Sequence, residues 1–233
     1  MTNGDDLRSY EPRRFPGLAS LIGRFATLEP IVDDRAFGAL WQAYSADTDG
    51  ELWRWMHDGP FADEAQFRAF AARVYLQDGH RFYAIVPNGS GRAAGVAALF
   101  RADLANGVIE IGHICLAPSL QRTPAATEAF HLIMRHVIRD LGYRRLEWKC
   151  NDENVPSKRA AERLGLRFEG VFRQHQIVKG RNRDTAWYAV LDREWAALEP
   201  AFATWLDAAN FDRDGMQRRS LGSLTSAASD LSR

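Results

Sequence analysis

The chain has 233 residues, 46% of them hydrophobic, and 30 Lys and Arg balance 30 Asp and Glu for a formal net charge of zero. That length suits one sizeable core with extensions rather than two large domains, and the charge balance speaks against a general nucleic-acid or membrane-surface binder. Cys115 and Cys150 are the only cysteines, each inside a strand-like run with no C-x-x-C pair or companion His spacing, so reduced core thiols and no metal are expected.

Residues 1–6 are polar and acidic where a signal peptide would be basic and then apolar, and no long uncharged apolar run follows. A cytoplasmic location is therefore expected. Residues 1–17, with Pro12, Pro16 and the pair Arg13-Arg14, read as an irregular arm. Residues 18–200 read as the folded domain, and residues 201–233 as an extension whose Ser-rich end is flexible.

Within the domain a strand is expected over 22–28, and Phe37, Leu40, Trp41 and Tyr44 have helical spacing. A second helix, starting at Ala62 or Asp63, carries Phe67, Phe70 and Val74 on one side. Between the two lies an aromatic segment holding Trp53, Trp55, Met56, His57 and Asp58. Strands over 81–86 and 93–100 are joined by Pro87-Asn88-Gly89-Ser90-Gly91, a hairpin signal.

The apolar strand Val108–Leu116 runs into a connection over 117–126, and Thr127 opens the clearest helix of the chain. Phe130, Ile133, Met134, Val137, Ile138 and Leu141 recur there at three- and four-residue steps, and Gly142 supplies the stop. A loop delivered by a strand onto a helix N-terminus presents unpaired N–H groups at the positive end of the helix dipole, which suits an anion such as a phosphate. Leu146, Trp148 and Cys150 then alternate with Arg145, Glu147 and Lys149 as a strand with one covered face should. A turn over 151–154 leads to a helix ending at Leu164-Gly165, and strands over 168–178 and 185–191 follow. Two helices among so many strands, with hairpins at both ends, imply an α+β mixed sheet in which only the central crossover is parallel.

Several motifs stand in a fixed order from Leu18 to Trp195. They are Glu110-Ile111-Gly112, Ala117-Pro118, Ala126-Thr127-Glu128-Ala129, Asn154-x-x-Ser157, the run from Arg163-Leu164-Gly165 to Gly170, and Arg183-Asp184-Thr185 leading to Tyr188. Together they resemble the GNAT acyltransferases, and within them the RimJ/RimL-like group of N-acetyltransferases. The resemblance implies the GNAT fold: a twisted, mostly antiparallel mixed sheet of roughly six to seven strands, with helices on both faces and a central β-loop-α crossover binding acetyl-CoA as cosubstrate. It implies cofactor contacts from Ile114, Cys115 and Leu116 on the strand, from Gln121, Arg122, Thr123, Ala125, Ala126 and Thr127 in the loop, and from Asn154 and Ser157. In one respect the chain departs from the family, whose loop usually follows Gln/Arg-x-x-Gly-x-Gly/Ala; Pro124 stands at the first glycine. Proline donates no N–H, so the cradle offers one amide fewer, with the Thr123 and Thr127 hydroxyls and the Arg122 guanidinium as candidate replacements. The alternative is a non-catalytic binding or assembly module with an impaired CoA loop.

Acetyl transfer to an amine asks for a deprotonated amine, a polarised thioester carbonyl and a proton for the departing thiolate. Glu110 and His113 are candidate bases, which a period of two puts on opposite faces. His113 equally suits a hydrogen-bonded surface histidine and Glu110 a solvated strand residue, while Gln176 cannot act as a base. A backbone N–H near Ile114 or Cys115 is the candidate carbonyl donor. By resemblance Asn154 holds the pantetheine arm and Ser157 lies near the sulfur; the plainer reading makes Asn154 an N-cap ahead of Pro156. Tyr188 is a second candidate proton donor or a packing tyrosine. Trp53, Trp55, Met56 and His57 are candidates to line the acceptor slot, with Asp58 drawing a positive charge, against plain packing of the first helices. The expected acceptor is a small-molecule amine or a protein N-terminus, and a homodimer is left open.

Overall fold

The computed structural model describes residues 7–231, with side chains through Ala228, so the acidic start at residues 1–6 lies outside it. The strands are β1 (Leu21–Ile22), β2 (Ala26–Pro30), β3 (Arg81–Pro87), β4 (Gly95–Asp103), β5 (Val108–Leu116), β6 (Arg145–Asn151), β7 (Arg167–Val178) and β8 (Arg181–Leu191). They form one eight-stranded sheet in the order β1-β2-β3-β4-β5-β6-β8-β7. Its one parallel pair is β5–β6, as the crossover requires.

The strand expected over 22–28 is broken in two. The buried Glu128 carboxylate accepts the backbone N–H groups of Arg24, Phe25 and Ala26 at 2.9, 2.5 and 2.9 Å, so these amides leave the ladder and the chain turns. That turn adds the two-residue β1 to the sheet.

Helices α1 (Phe37–Tyr44) and α2 (Glu64–Tyr75) cover one face, where Tyr75 packs on Phe82 of β3 at 4.8 Å between ring centroids. On the other face α3 (Pro124–Arg135) sets Phe130 against Trp148 of β6 at 5.5 Å. α3 opens three residues earlier than expected. Thr123 caps it by accepting the Ala126 N–H at 3.2 Å, and Pro124 takes the first helical position, where its missing donor has no partner in the helix. The helix then widens over His136–Asp140, with the Leu141 N–H donating to the His136 carbonyl, and stops at Gly142, whose φ is 71°.

Helix α4 (Val155–Arg163) follows β6, and α5 (Asp192–Leu206) continues past the expected domain edge with Pro200 inside it. Where a flexible Ser-rich tail was expected, α6 (Leu221–Leu231) packs on α5 and α4. Leu221, Leu224, Thr225 and Ala228 form a buried stripe at helical spacing among the serines, and the Thr225 hydroxyl donates to the Arg163 carbonyl at 3.1 Å. The arm from residue 7 to 17 is irregular, as expected, and is pinned to the domain: the Arg13 N–H donates to the Leu104 carbonyl and the Tyr143 hydroxyl to that of Arg14. Phe37, Leu40, Phe67, Phe82, Leu99 and Ile133 are wholly buried between the layers, each stabilising the fold by about 1.5–3 kcal/mol. Among the described residues no helix is long and apolar enough to cross a membrane.

Candidate active site

β5 and β6 pair only from Val108↔Arg145 to Ile111↔Trp148. Beyond that pair they part, and the β6-facing edge of β5 from Gly112 onward has no ladder partner there. A cleft of about 350 Å³ opens at the split, lined on β5 by Glu110, Gly112, His113 and Ile114 and on the far side by Cys150 and Ser157.

Three bulges shape this cleft. β5 has one residue more than β4 between Ala98↔Gly112 and Val96↔Cys115, and His113 takes φ 49° there. β4 has one more between Phe100↔Glu110 and Asp103↔Val108, with Arg101 also at φ 49°. β7 has two more than β8 between Phe172↔Thr185 and Gln176↔Arg183, with Gln174 at φ 51°. A bulge re-aims side chains, so His113 and Glu110 both reach the cleft instead of facing opposite ways.

The His113 ring sits among His80, Phe82 and Phe100, at 4.9–5.6 Å between centroids. Burial, with His80 and His57 nearby, lowers its pKa to about 4, so the imidazole is neutral at neutral pH. Glu110 is buried and tied to two cations, accepting from Lys149 Nζ at 2.8 Å and from Arg101 at 3.1 Å. Lys149 also pairs with Glu147 at 2.8 Å and lies 3.8 Å from the centre of the Trp187 ring. The Glu110 carboxylate is therefore engaged by two cations inside a network rather than open to a substrate.

The far wall carries Ser157 in the first turn of α4. Asn154 caps that helix, its side-chain oxygen accepting the Ser157 N–H at 3.1 Å. The Ser157 hydroxyl oxygen accepts from the Trp148 indole at 3.0 Å, and the hydroxyl also lies within hydrogen-bonding reach of the Cys150 thiol on the cleft wall. The roof is made by the segment between α1 and α2 meeting the β7–β8 hairpin: Lys179 donates to the Trp53 carbonyl at 2.7 Å, and Arg183 lies 3.2 Å from His57 Nε2.

On the loop into α3, two of the expected phosphate donors are already occupied. The Thr123 hydroxyl donates to the Leu120 carbonyl at 2.7 Å, and the Thr127 hydroxyl reaches the Thr123 carbonyl at 3.4 Å while accepting from Arg163 at 3.1 Å. Gln121 folds back to donate to the Leu116 carbonyl at 2.9 Å. Arg122, exposed and at φ 61°, keeps its guanidinium for a ligand, together with the first backbone amides of α3.

Trp55, Met56 and His57 line the cleft, with Asp58, whose carboxylate pairs with Arg73 at 2.7 Å. Trp53 does not: it is 4% exposed, packed edge-on against Tyr44 and Phe61. Tyr188 is 1% exposed, and its hydroxyl donates to Glu162 of α4 at 3.0 Å, outside the cleft lining. Cys115 and Leu116 are also outside that lining, although Ile114 is within it. Sequence reading missed Arg101 and Lys149, and it quoted Arg183 only within a motif. Arg101 depends on a bulge, while Lys149 looked like the solvent side of an alternating strand. Among the described residues no group of three or more His, Cys, Asp or Glu is placed to hold a metal.

The family model for the acetyltransferase (GNAT) domain matches residues 27–167. The crystal structure of a GCN5-related N-acetyltransferase from Brucella melitensis is 45% identical, superposes with a TM-score of 0.91, and shares 94% of this chain and 100% of its own. A Bacillus subtilis protein bearing the name uncharacterized N-acetyltransferase YnaD is 27% identical over 66% of this chain and 89% of its own length. RimL, a ribosomal L7/L12 alpha-N-protein acetyltransferase solved in its apo form, shares the fold at 22% identity, with a TM-score of 0.63 over 78% of this chain and 98% of its own.

Proposed function

Because the chain belongs to the GNAT acetyltransferases and is an N-acetyltransferase of that family, we propose that it moves the acetyl group of acetyl-CoA directly to a primary amine seated in the β5–β6 cleft. The observation that carries this reading is the parting of β5 and β6 beyond Ile111↔Trp148, which opens a cleft with Gly112 to Ile114 on one wall and Ser157 on the other. The residues present fit the cofactor: Arg122 and the α3 amides suit its diphosphate, and the unpaired edge of β5 from Gly112 to Leu116 suits an amide-bearing arm and a thioester carbonyl. Acetyl-CoA supplies the activated acetyl thioester.

In the transfer the amine nitrogen forms a bond to the acetyl carbon, the carbon–sulfur bond breaks, the nitrogen loses a proton and the sulfur gains one. Neutral His113 offers the incoming amine an acceptor nitrogen in place of a repelling charge. A β5 backbone N–H beyond the split holds the carbonyl oxygen as it gains charge. Ser157 turns its hydroxyl proton from the Cys150 thiol toward the sulfur, and Asn154 fixes the turn that aims it. Trp55 and Met56 wall the acceptor side. Holding both partners in line accounts for much of the acceleration.

The test is thiol release from acetyl-CoA with a panel of amines, with product mass as the second readout. Stoichiometric thiol and a mass gain of one acetyl group on the acceptor are expected. Acetyl-CoA that neither stabilises the protein nor is consumed would favour the binding-module alternative.

A further inference from the structure

Resting on that reading, we infer that the acceptor is a small amine bearing a carboxylate, whose negative charge is seated on Arg183 beneath the roof of the cleft. The geometry singles out this residue. Glu110 is taken by Arg101 and Lys149, and Asp58 by Arg73. Arg183 has no carboxylate partner among the described residues. Among the described residues the one hydrogen-bond contact of its side chain is His57 Nε2 at 3.2 Å, and its Nε is buried without an acceptor.

Burial penalises the charged guanidinium and holds its pKa below the ordinary value, an effect that Glu110, near but not in contact, offsets only in part. An unmade hydrogen bond at a buried charged donor is a standing cost that a ligand anion removes. Directly across the β7–β8 ladder from Arg183, Gln176 also lines the cleft, and its side-chain oxygen is buried without a donor. One orphaned donor beside one orphaned acceptor matches a molecule that carries a carboxylate near an N–H group. The bulge at Gln174 sets this pair at the cleft, since it inserts two residues just before Gln176.

This chemistry favours an amino acid or related amino carboxylate over a protein N-terminus. In a polypeptide the group that follows the amine is an uncharged amide, which leaves Arg183 unpaired. A residue of this kind works by positioning: it fixes the anionic end and so places the amine at the acetyl carbon.

The experiment compares matched pairs, a set of α-, β- and γ-amino acids each beside its carboxamide, in thiol-release kinetics with wild type, Arg183→Gln and Arg183→Lys. In parallel, calorimetry measures binding of the N-acetylated acids and their carboxamides, which reads the seat without any turnover. At least one acid should exceed its amide tenfold or more in kcat/KM, and its acetylated form should bind at least tenfold tighter than the neutral counterpart. R183Q should raise KM for the acid tenfold or more, with kcat and the melting temperature little changed, and R183K should recover part of the loss. Equal handling of acids and amides by wild type, or an R183Q loss that falls equally on both, overturns the inference. An inert transferase whose calorimetry still discriminates acid from amide through Arg183 would sink the transfer reaction while upholding the anion seat, so the two failures are distinct.

Discussion

Glu128 sits one turn inside α3, with 5% of its surface exposed, and its carboxylate accepts from the Arg24, Phe25 and Ala26 amides. Two of these bonds fall on Oε2 and one on Oε1. In Glu128→Gln the amide oxygen can keep the pair on one side, but its NH2 then faces the Arg24 N–H, donor against donor. One charge-assisted bond, worth about 1.5–3 kcal/mol, is lost and two are weakened to neutral strength. The expected loss is therefore about 3–5 kcal/mol, and Glu128→Ala, which forfeits all three and leaves a void, should lose more than about 5 kcal/mol. For a chain of this size 1 kcal/mol lowers the melting temperature by roughly 2–4 °C. Gly23 supplies a second handle, because a Cβ there would run into the same carboxylate. Gly23→Ala should destabilise the wild type but cost less in the Glu128→Ala background, where the obstacle is gone. Urea unfolding followed by tryptophan fluorescence reads wild type and all four variants. An E128Q variant within about 0.5 kcal/mol of wild type, or strictly additive G23A and E128A effects, would refute the claim that this carboxylate closes the β1–β2 turn.

Ser157→Ala should lower kcat on the order of a hundredfold, because a donor to developing charge is lost, while the KM for acetyl-CoA moves little and stability falls by about 1 kcal/mol from the orphaned Trp148 indole. Steady-state kinetics beside a melting curve check this, and a kcat within twofold of wild type would contradict the donor role. Pro124→Ala restores an N–H at the start of α3, so acetyl-CoA should bind about tenfold tighter by calorimetry; unchanged affinity would mean that the first helical amide does not meet the diphosphate. His113 has a folded pKa near 4 against an ordinary 6.5, so between these values the unfolded chain binds the extra proton. Its contribution to stability is complete above about pH 6.5 and is lost as pH falls toward 4, by about 2–3 kcal/mol at most. Urea midpoints at pH 7 and 4.5 should converge in His113→Phe relative to wild type, and an identical acid loss in both would exclude His113 as a source.

Much of the fold was legible because its long elements have strong periodicities. The α3 stripe of Phe130, Ile133, Met134 and Val137 and the β6 alternation of Leu146, Trp148 and Cys150 bury the faces expected of them. The breaks were less legible. Ile22 to Leu28 reads as one strand, and only the distant Glu128, brought in by the crossover, turns its middle. The buried stripe of α6 is thin and set among serines, so composition outweighed period.

At the site, Ser157, Asn154, Glu110 and the Trp55 to His57 segment were within reach because each lies on a motif or an aromatic cluster. The cleft's charge balance was not. It depends on bulges at Arg101, His113 and Gln174, each a non-glycine residue at positive φ, and such residues leave no periodic trace in a sequence. Tyr188 and Trp53 lie outside the cleft lining for a common reason: an aromatic side chain with a polar edge serves a core as well as a cleft, and neighbours distant in sequence, Glu162 and Tyr44, decide which.

Amide hydrogen exchange with and without saturating acetyl-CoA tests the central assignment most directly, since it reads where the backbone meets the ligand. Slowed exchange should concentrate at Gly112 to Leu116, the edge of β5 past its last pair with β6, and at residues 121–127 around the start of α3. Protection confined to other surfaces, or none at a concentration that calorimetry proves saturating, would contradict the placement of the cofactor between the parted strands.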